Sequence, residues 1–414
     1  MSPHEVVVTA CGIVSPLGIG VPEFGRRMFA GESGTVDIRG SIVPKGFPVR
    51  VAAIVPRDRL GQPSLLADRA VETTPLTWRF AGLATEEALD GLPPGCDVDA
   101  IVYAAAEGTH FDLIRASFRH FDSESFDWDA TRAETTHEFV RRIVEARGHG
   151  CVPDARVISL NNACISSNQA IGIALQRIRS GRWRRAIAGG TDARCKPDNL
   201  MNFHLLGALT TADVPPAEAS RPFSRDRSGF VRGEGAATLV LESREAAEER
   251  GADILGVVTG YGSTSDAHRL TDGRPDVRGA VRAMSAALAD AGLVPAQVSA
   301  ISAHGTSTTM NDTLETKAIK TLFGDHAARI PVTSLKSQVG HSTVAAGALE
   351  AVSCLLMLRE QRLAPTINYA EPDPACDLDY VPCRSRKARI ETILSNNFGF
   401  GGQNACVVFS RPLS

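Results

Sequence analysis

Short apolar, β-branched runs alternate with stretches of helical spacing along this chain, and one such alternation occurs twice. The apolar run 157–160 leads through polar residues into a helical pattern around Ala170. The run 330–335 leads in the same way into a helical pattern around Ala348. Fully apolar short strands that alternate with helices predict an α/β protein with parallel-rich sheets covered on both faces.

The pattern also indicates an internal duplication. The apolar runs 5–12 and 254–262 each end in glycine, which predicts a buried strand running into a glycine turn in each half. We interpret the chain as two βαβ-rich halves, residues 1–250 and 251–414, that meet near residue 250.

One segment breaks this symmetry. Residues 110–150 are long, charged and aromatic, without a counterpart in the second half, and 134–146 has helical spacing. The segment is interpreted either as a cap on a substrate channel or a dimer contact, or as a surface excursion.

Composition narrows the class of protein. The 414 residues are 43% apolar and 22% charged, with a net charge of -3, so there is no electrostatic case for nucleic acid or an acidic membrane. Nine cysteines without a CxxC pair argue against a disulfide scaffold and a structural zinc site, and no metal site is predicted. The chain shows neither a basic, apolar leader nor a membrane-spanning apolar run, and the expected location is the cytoplasm.

Cys164 follows the first repeated strand, and the pattern predicts that it lies on the first turn of the following helix. Free backbone N–H groups and the helix dipole favour an anion at such a junction. We therefore predict a lowered pKa and a nucleophilic thiolate.

Two histidines, His304 and His341, lie among similarly small residues. Lys336 lies at the end of a predicted strand in an apolar region, with Glu350 as a candidate partner, in a structural ion pair or a functional one. One cysteine and two histidines in such settings predict acyl transfer through a thioester.

A glycine-rich segment, 396–404, contains Phe398 and Phe400. Its backbone N–H groups could face a developing oxyanion. Phosphate binding is disfavoured because neither GxGxxG nor Walker spacing occurs there.

Together these segments resemble the β-ketoacyl-acyl-carrier-protein synthases, the elongating ketosynthases of the thiolase superfamily. The matching segments are 6–18, 206–209, 219–236, 303–308, 336–337, 340–341 and 397–402. The resemblance implies a thiolase-like α/β fold, in which two duplicated halves form a layered α-β-α-β-α core.

The resemblance also implies roles for the candidate residues. Cys164 would take the acyl group from a carrier protein. His304 and His341 would bind the malonyl thioester carbonyl and promote decarboxylation. The backbone N–H groups of Cys164 and Phe400 would form the oxyanion hole.

Supporting roles follow from the same resemblance. Lys336 would orient the histidines, with Glu350 as its partner, and Thr306 and Thr308 would support the site. Phe400 would gate the acyl pocket. The substrates would be carried on the phosphopantetheine of an acyl carrier protein, without a further cofactor. A homodimer is expected, or a heterodimer with a ketosynthase-like subunit, and neither nucleic acid nor membrane is an expected partner.

Several positions depart from the family pattern. Asn162, Ile165, Ser224 and Val344 differ from the usual residues, and 103–108 lacks a glycine-rich run. We infer altered pocket-shaping residues and a specialised pathway, such as type II polyketide or modified fatty-acyl assembly.

Five alternatives compete with an elongating ketosynthase, and the residues disfavour the first two. A thiolase would carry a second cysteine where this chain has phenylalanines, and a starter-unit enzyme would more usually pair histidine with asparagine. A non-catalytic chain-length subunit would have lost its nucleophile. A hydrolase, or transfer of the acyl group to a non-carbon acceptor, would use the same cysteine and histidine.

Overall fold

The computed structural model describes residues 4–68, 74–106 and 135–412. Within these residues the strands are β1 Val6–Ser15, β2 Gly18–Ile19, β3 Thr35–Asp37, β4 Val51–Ala53, β5 Ala100–Ala105, β6 Val157–Leu160, β7 Arg185–Asp192, β8 Gly235–Ser243, β9 Gly256–Ser265, β10 Ala300–Ser302, β11 Val332–Thr333, β12 Arg362–Leu363, β13 Arg386–Lys387, β14 Thr392–Gly399 and β15 Gln403–Ser410. The α-helices are α1 Val21–Ala30, α2 Leu76–Asp90, α3 Thr136–Ala146, α4 Ser166–Arg179, α5 Pro197–Leu205, α6 Arg244–Glu249, α7 Arg278–Asp290, α8 Thr309–Phe323, α9 Lys336–Val339 and α10 Ala346–Glu360.

The main sheet consists of two five-stranded halves with the same order. The strands run β11-β10-β14-β15-β9 in one half and β1-β8-β7-β5-β6 in the other, and β1 and β9 join them. In each half the outer pairings are parallel, β6-β5-β7 and β11-β10-β14. The inner pairings, β7-β8-β1 and β14-β15-β9, are antiparallel.

The prediction of parallel-rich sheets is therefore wrong for the inner strands. Strand β8 is buried along its whole length although both its neighbours are antiparallel to it. An apolar run indicates that both faces of a strand are covered, but it does not show whether the neighbouring strands are parallel or antiparallel to it.

Two helices lie between the half-sheets. Helix α4 contacts β5 and β7 of its own half and also β9 and β15, and α10 contacts β14 as well as β1 and β8. Helices α2 and α3 cover the outer face of the first half, α7 covers that of the second, and α8 packs on α7. The layers are α-β-α-β-α, which confirms the thiolase-like fold; the division near residue 250 stays a prediction.

The prediction of a glycine turn in each half is also wrong, because in both halves the glycine lies inside the strand. Gly12 lies inside β1 and Gly262 inside β9. A Cβ atom at Gly12 would lie 2.1 Å from the carbonyl oxygen of Ala84 in α2, and one at Gly262 would lie 2.3 Å from that of Ala283 in α7. Each glycine therefore lets an outer helix approach its strand closely.

The end of the inserted segment forms α3, which agrees with the helix predicted over 134–146. Its Phe139 ring stacks on Trp78 of α2 at 5.1 Å between centroids. The proposed cap or dimer contact falls largely on 107–134, outside the described residues. Among the described helices, none is long and apolar enough to cross a membrane.

Candidate active site

Cys164 lies on a tight turn between β6 and α4. Residues Ala163–Ile165 form a 3-10 turn, and Ala163 has a φ of 47°, which non-glycine residues rarely adopt. The Ser166 hydroxyl accepts from the Asn162 N–H and donates to the Ala163 carbonyl, both at 2.7 Å. The cysteine lies at the predicted junction between strand and helix, but on the 3-10 turn before α4, so its predicted place on the first turn of the helix is wrong.

The three predicted reactive side chains converge in one cavity. His341 Nε2 lies 3.0 Å from Cys164 Sγ. The rings of His304 and His341 are 5.1 Å apart between centroids and nearly perpendicular. All three side chains are buried and line a cavity of about 490 Å³. One half of the chain supplies the thiol and the other supplies both imidazoles.

The predicted lowering of the Cys164 pKa is wrong. Burial raises the pKa of this thiol to about 11, although the charges of Lys336 and Arg232 and the Phe400 N–H act in the opposite direction. Loss of hydration penalises the thiolate more than these neighbours stabilise it. Cys164 is therefore a thiol near neutral pH, and its attack requires a group that takes the proton.

Both histidines are neutral. Burial holds the pKa of His304 and of His341 well below the usual range, and the positive charge of Lys336 adds to the effect. A neutral imidazole offers one N–H donor and one acceptor nitrogen. His341 can therefore accept the Cys164 proton at contact distance, and either ring can donate to a substrate oxygen.

Lys336 and Glu350 form a buried ion pair. Both side chains are almost fully buried, and Lys336 Nζ donates to Glu350 Oε1. The second carboxylate oxygen accepts from Asn397 Nδ2 at 2.7 Å. Asn397 lies on β14, which leads into the glycine-rich loop, so the pair ties this loop to α9 and α10.

The glycine-rich loop reaches the nucleophile. The Phe400 N–H lies near Cys164 Sγ and acts to lower the pKa of the thiol. A Cβ atom at Gly399 would lie 3.3 Å from the Cys164 nitrogen, so the end of β14 is in close contact with the turn that carries Cys164. The half-buried Phe400 ring lies 6.3 Å from that of Phe203 and lines the cavity. The oxyanion-hole and gating roles of Phe400 stay predictions.

Two carboxylates of α8 hold the His304 loop. Glu315 accepts from the His304 N–H at 2.9 Å, and Asp312 accepts from the Thr306 N–H at 2.9 Å. The hydroxyls of Thr306 and Thr308 are 2.9 Å apart, and both residues line the cavity. Sequence reasoning missed both acids, although they follow the histidine segment closely and lie three residues apart on one helix.

A buried arginine positions His341 and was also missed. Arg232 donates to the His341 carbonyl at 2.7 Å and to Asp192 Oδ1 at 2.6 Å, and its side chain is fully buried. The Phe230 ring meets that of His341 edge-on at 5.3 Å. Both residues belong to the segment 219–236, which is predicted as a family motif. Nothing in the sequence indicates what these two side chains do.

The raised thiol pKa predicts the pH dependence of alkylation. We expect the reaction of Cys164 with iodoacetamide to accelerate continuously from pH 7 to above pH 9, because the thiolate fraction grows with pH until the pKa near 11 is reached. At pH 8 the rate should be on the order of 100-fold below that of a thiol with an ordinary pKa. Peptide mass spectrometry can follow Cys164 and the exposed Cys383 in one sample. A rate for Cys164 that levels off below pH 9 would contradict the prediction.

Comparisons with known proteins give the family. A model described as the beta-ketoacyl synthase N-terminal domain matches residues 154–247, and one for the C-terminal domain matches 255–370. A 3-oxoacyl-[acyl-carrier-protein] synthase 2 of Coxiella burnetii is 36% identical, with 99% of each chain covered. The tetracenomycin polyketide synthase ketoacyl synthase alpha subunit of Streptomyces glaucescens is 34% identical over 99% of this chain and 97% of its own.

Solved structures agree with these relatives. A chain of AntDE:AntF, described as a type II polyketide synthase acyl-carrier protein in complex with its ketosynthase, superposes with a TM-score of 0.87 at 32% identity, over 99% of this chain and 100% of that one. A chain of the ishigamide ketosynthase/chain length factor gives 0.86 at 32% identity with the same coverage. With the fold and the cysteine–histidine cavity described above, these matches show that the chain belongs to the β-ketoacyl synthase family, acyltransferases that form a carbon–carbon bond.

Proposed function

We propose that this protein is an elongating ketosynthase, which joins an acyl group held on Cys164 to a malonyl unit delivered by an acyl carrier protein. The observation that supports this most is the convergence of the Cys164 sulfur with two neutral imidazoles in one cavity. The protein would use no cofactor of its own, because the carrier's phosphopantetheine arm presents both substrates as thioesters.

The first step loads the enzyme. The Cys164 sulfur attacks the acyl thioester as His341 Nε2 takes its proton, and the bond between the acyl carbon and the carrier sulfur breaks. The proton then passes from His341 to the departing carrier thiolate, which leaves as the thiol. The tetrahedral oxyanion would accept from the Phe400 and Cys164 N–H groups, because backbone donors aimed at a developing negative charge stabilise it.

The second step forms the new bond. The bond between the malonyl α-carbon and its carboxylate breaks, carbon dioxide leaves, and the electron pair forms an enolate on the thioester. His304 and His341 would donate N–H groups to that oxygen. The enolate carbon attacks the acyl-Cys164 carbonyl, the carbon–sulfur bond breaks, and the released thiolate takes a proton from solvent.

The residues that depart from the family pattern support a specialised pathway, such as type II polyketide or modified fatty-acyl assembly. Ile165 and Val344 are fully buried beside the nucleophile turn, and Val344 packs with Ala104 and Ala106. Asn162 donates to Gln169 at 3.1 Å. The intact Cys164 favours a condensing subunit over a non-catalytic chain-length subunit.

The proposal is tested by incubating the protein with an acyl-carrier thioester and then with malonyl carrier. We expect carbon dioxide release and a chain longer by two carbons in equal amounts. Acyl loss to water, or acyl transfer to a non-carbon acceptor without carbon dioxide, would favour the hydrolase or acyltransferase alternatives.

We further propose that the carrier docks at the cavity mouth, on what we call the apolar rim. The rim consists of Leu205, Leu206, Leu270 and Met310, which are 76%, 55%, 77% and 48% exposed. Leu206 and Met310 line the cavity itself, and the Leu270 carbonyl accepts from the Gly401 N–H beside the gate. Exposed apolar side chains grouped around an opening are typical of an interaction site.

Two arginines next to the rim, within the described part of the chain, form ion pairs with nearby carboxylates. Arg274 pairs with Asp276 at 2.7 Å, and Arg269 pairs with Asp272 at 3.1 Å. We therefore propose that contact with the carrier depends substantially on apolar burial at this mouth. The carrier complex of the structural relative supports a partner of this kind.

A charge on the rim should weaken carrier binding selectively. For Leu205→Asp we expect KM for the carrier-bound substrate to rise about tenfold, because a carboxylate would be desolvated on docking. Turnover of a short pantetheine thioester, which needs no docking, should be unchanged. Val294→Asp, at an exposed apolar position away from the cavity, is the matched control. Equal effects of the two substitutions on KM would argue against the rim.

We also propose a dimer formed through β6. This strand ends the described sheet beside the nucleophile turn, and Val157, Ile158 and Leu160 are only partly buried. An apolar edge strand is a ready site for pairing with another chain. Light scattering should give twice the chain mass of 44.0 kDa for the protein alone if it is a homodimer. A monomer at micromolar concentration would contradict a homodimer and favour pairing with a second, ketosynthase-like subunit.

A further inference from the structure

The cavity floor brings together one sulfur and two imidazole nitrogens, a donor set that zinc prefers. We propose that Cys164, His304 and His341 form a binding site for one Zn²⁺ ion, and that zinc and the acyl group compete for the same sulfur. This site goes beyond the condensation reaction, which requires no metal.

The distances fit a three-coordinate protein site. The Cys164 sulfur and one nitrogen of each histidine all lie within 4.8 Å of one another. Tetrahedral zinc with bonds of about 2.3 Å to sulfur and about 2.0 Å to nitrogen places its ligand atoms roughly 3.3–3.6 Å apart. His341 Nε2 and Cys164 Sγ are 3.0 Å apart, so they would have to move apart by only about 0.5 Å to bind the same ion. Small side-chain rotations would bring a nitrogen of His304 to the same distance.

The surroundings allow the ion to enter and remain. The three ligands line the same cavity of about 490 Å³, which leaves room for a water or chloride in the fourth position. Carboxylates offset most of the nearby positive charge, because Lys336 pairs with Glu350, and Arg232 and Arg194 share Asp192. A divalent ion therefore faces one net positive charge from these five groups rather than three.

Binding is a simple ligand exchange. The Cys164 S–H bond breaks, its proton passes to solvent, and the sulfur forms a bond to zinc without oxidation or reduction. The histidines are already neutral and lose no proton. Zinc raises the local charge by one unit, and the charged groups that face it are Lys336, Glu350, Arg232, Arg194 and Asp192.

Occupation by zinc and acylation exclude each other. An acylated sulfur is no longer a thiolate and cannot bind the metal, and a zinc-bound sulfur cannot attack a thioester or an alkylating agent. Zinc would therefore inhibit the enzyme reversibly and protect Cys164. The competition with the acyl group depends on the proposed loading of Cys164, whereas metal binding and protection from alkylation do not.

Equilibrium dialysis of the full chain against ZnCl₂ tests the site. We expect one equivalent bound with a dissociation constant at or below about 10 µM, and an affinity at least about 100-fold lower in Cys164→Ser. Bound Co²⁺ should show a thiolate charge-transfer band that the same variant loses. Cys151→Ser and Cys383→Ser remove exposed cysteines and should bind zinc as the unchanged protein does.

A second variant and a chemical readout make the test decisive. His304→Ala keeps the thiol and should bind zinc at least about tenfold more weakly, with an unchanged circular dichroism spectrum. Zinc should slow iodoacetamide labelling of Cys164 but not of Cys383. Absence of stoichiometric binding, or binding unchanged by both Cys164→Ser and His304→Ala, would overturn the proposal. Because these measurements need no substrate, they test the zinc site independently of the proposed condensation reaction.

Discussion

Replacing Cys164 with alanine should abolish covalent acylation of the protein. After incubation with an acyl-carrier thioester, the unchanged protein should gain the mass of one acyl group, and the variant should gain none. The reason is that Cys164 is the cysteine that shares the cavity with both imidazoles, 3.0 Å from His341 Nε2. Intact-protein mass spectrometry measures both forms directly.

The control for this experiment is Cys151→Ala, which removes an exposed cysteine outside the cavity. This variant should still acquire a single acyl group. A mass gain that persists on Cys164→Ala would refute the nucleophile assignment. Overall loss of structure is a smaller concern than for most buried positions, because the substitution removes only one sulfur atom from the wall of an open cavity.

Replacing His304 with alanine should separate loading from condensation. We expect acylation of Cys164 to stay within about tenfold of normal, while carbon dioxide release and chain extension fall by about 10³-fold or more. The ring of His304 faces His341, which is the histidine in contact with the sulfur. Loss of His304 therefore removes a donor for the enolate and leaves the thiol's proton acceptor in place.

His341→Ala is the matched comparison, and it should slow both loading and condensation. The loop around His304 should survive its own substitution, because Glu315 binds the backbone N–H of residue 304 rather than its ring. Unchanged product formation by His304→Ala would exclude the enolate role. Equal losses of acylation in the two variants would show that both rings serve the thiol.

The duplicated fold explains why the site lies between the halves. Helices α4 and α10 are packed between the two half-sheets, and the turns before them hold Cys164 and the segment after His341. Ala163 and Thr343 adopt positive φ values at equivalent points of the two turns. One turn carries the nucleophile, and the other lies directly behind it, where the Val344 carbonyl accepts from the Ser167 hydroxyl.

Local pattern by itself determined much of this protein. The apolar run before Cys164 and the helical spacing after it predicted the strand, turn and helix because these depend on neighbouring residues. The small residues around His304 and His341 marked their segments in the same way. The order of the motifs along the chain was sufficient for the family and for the layered fold.

Only the tertiary structure decided the rest. The direction of the inner strands depends on distant partners, which burial patterns do not distinguish. The raised pKa of Cys164 results from desolvation, which the complete fold imposes and which outweighs the nearby positive charges. Arg232 and Glu315 act on the histidines through backbone groups, and no spacing along the chain shows such contacts. Long-range contacts thus govern the charge state and orientation of groups whose positions are already evident from local sequence.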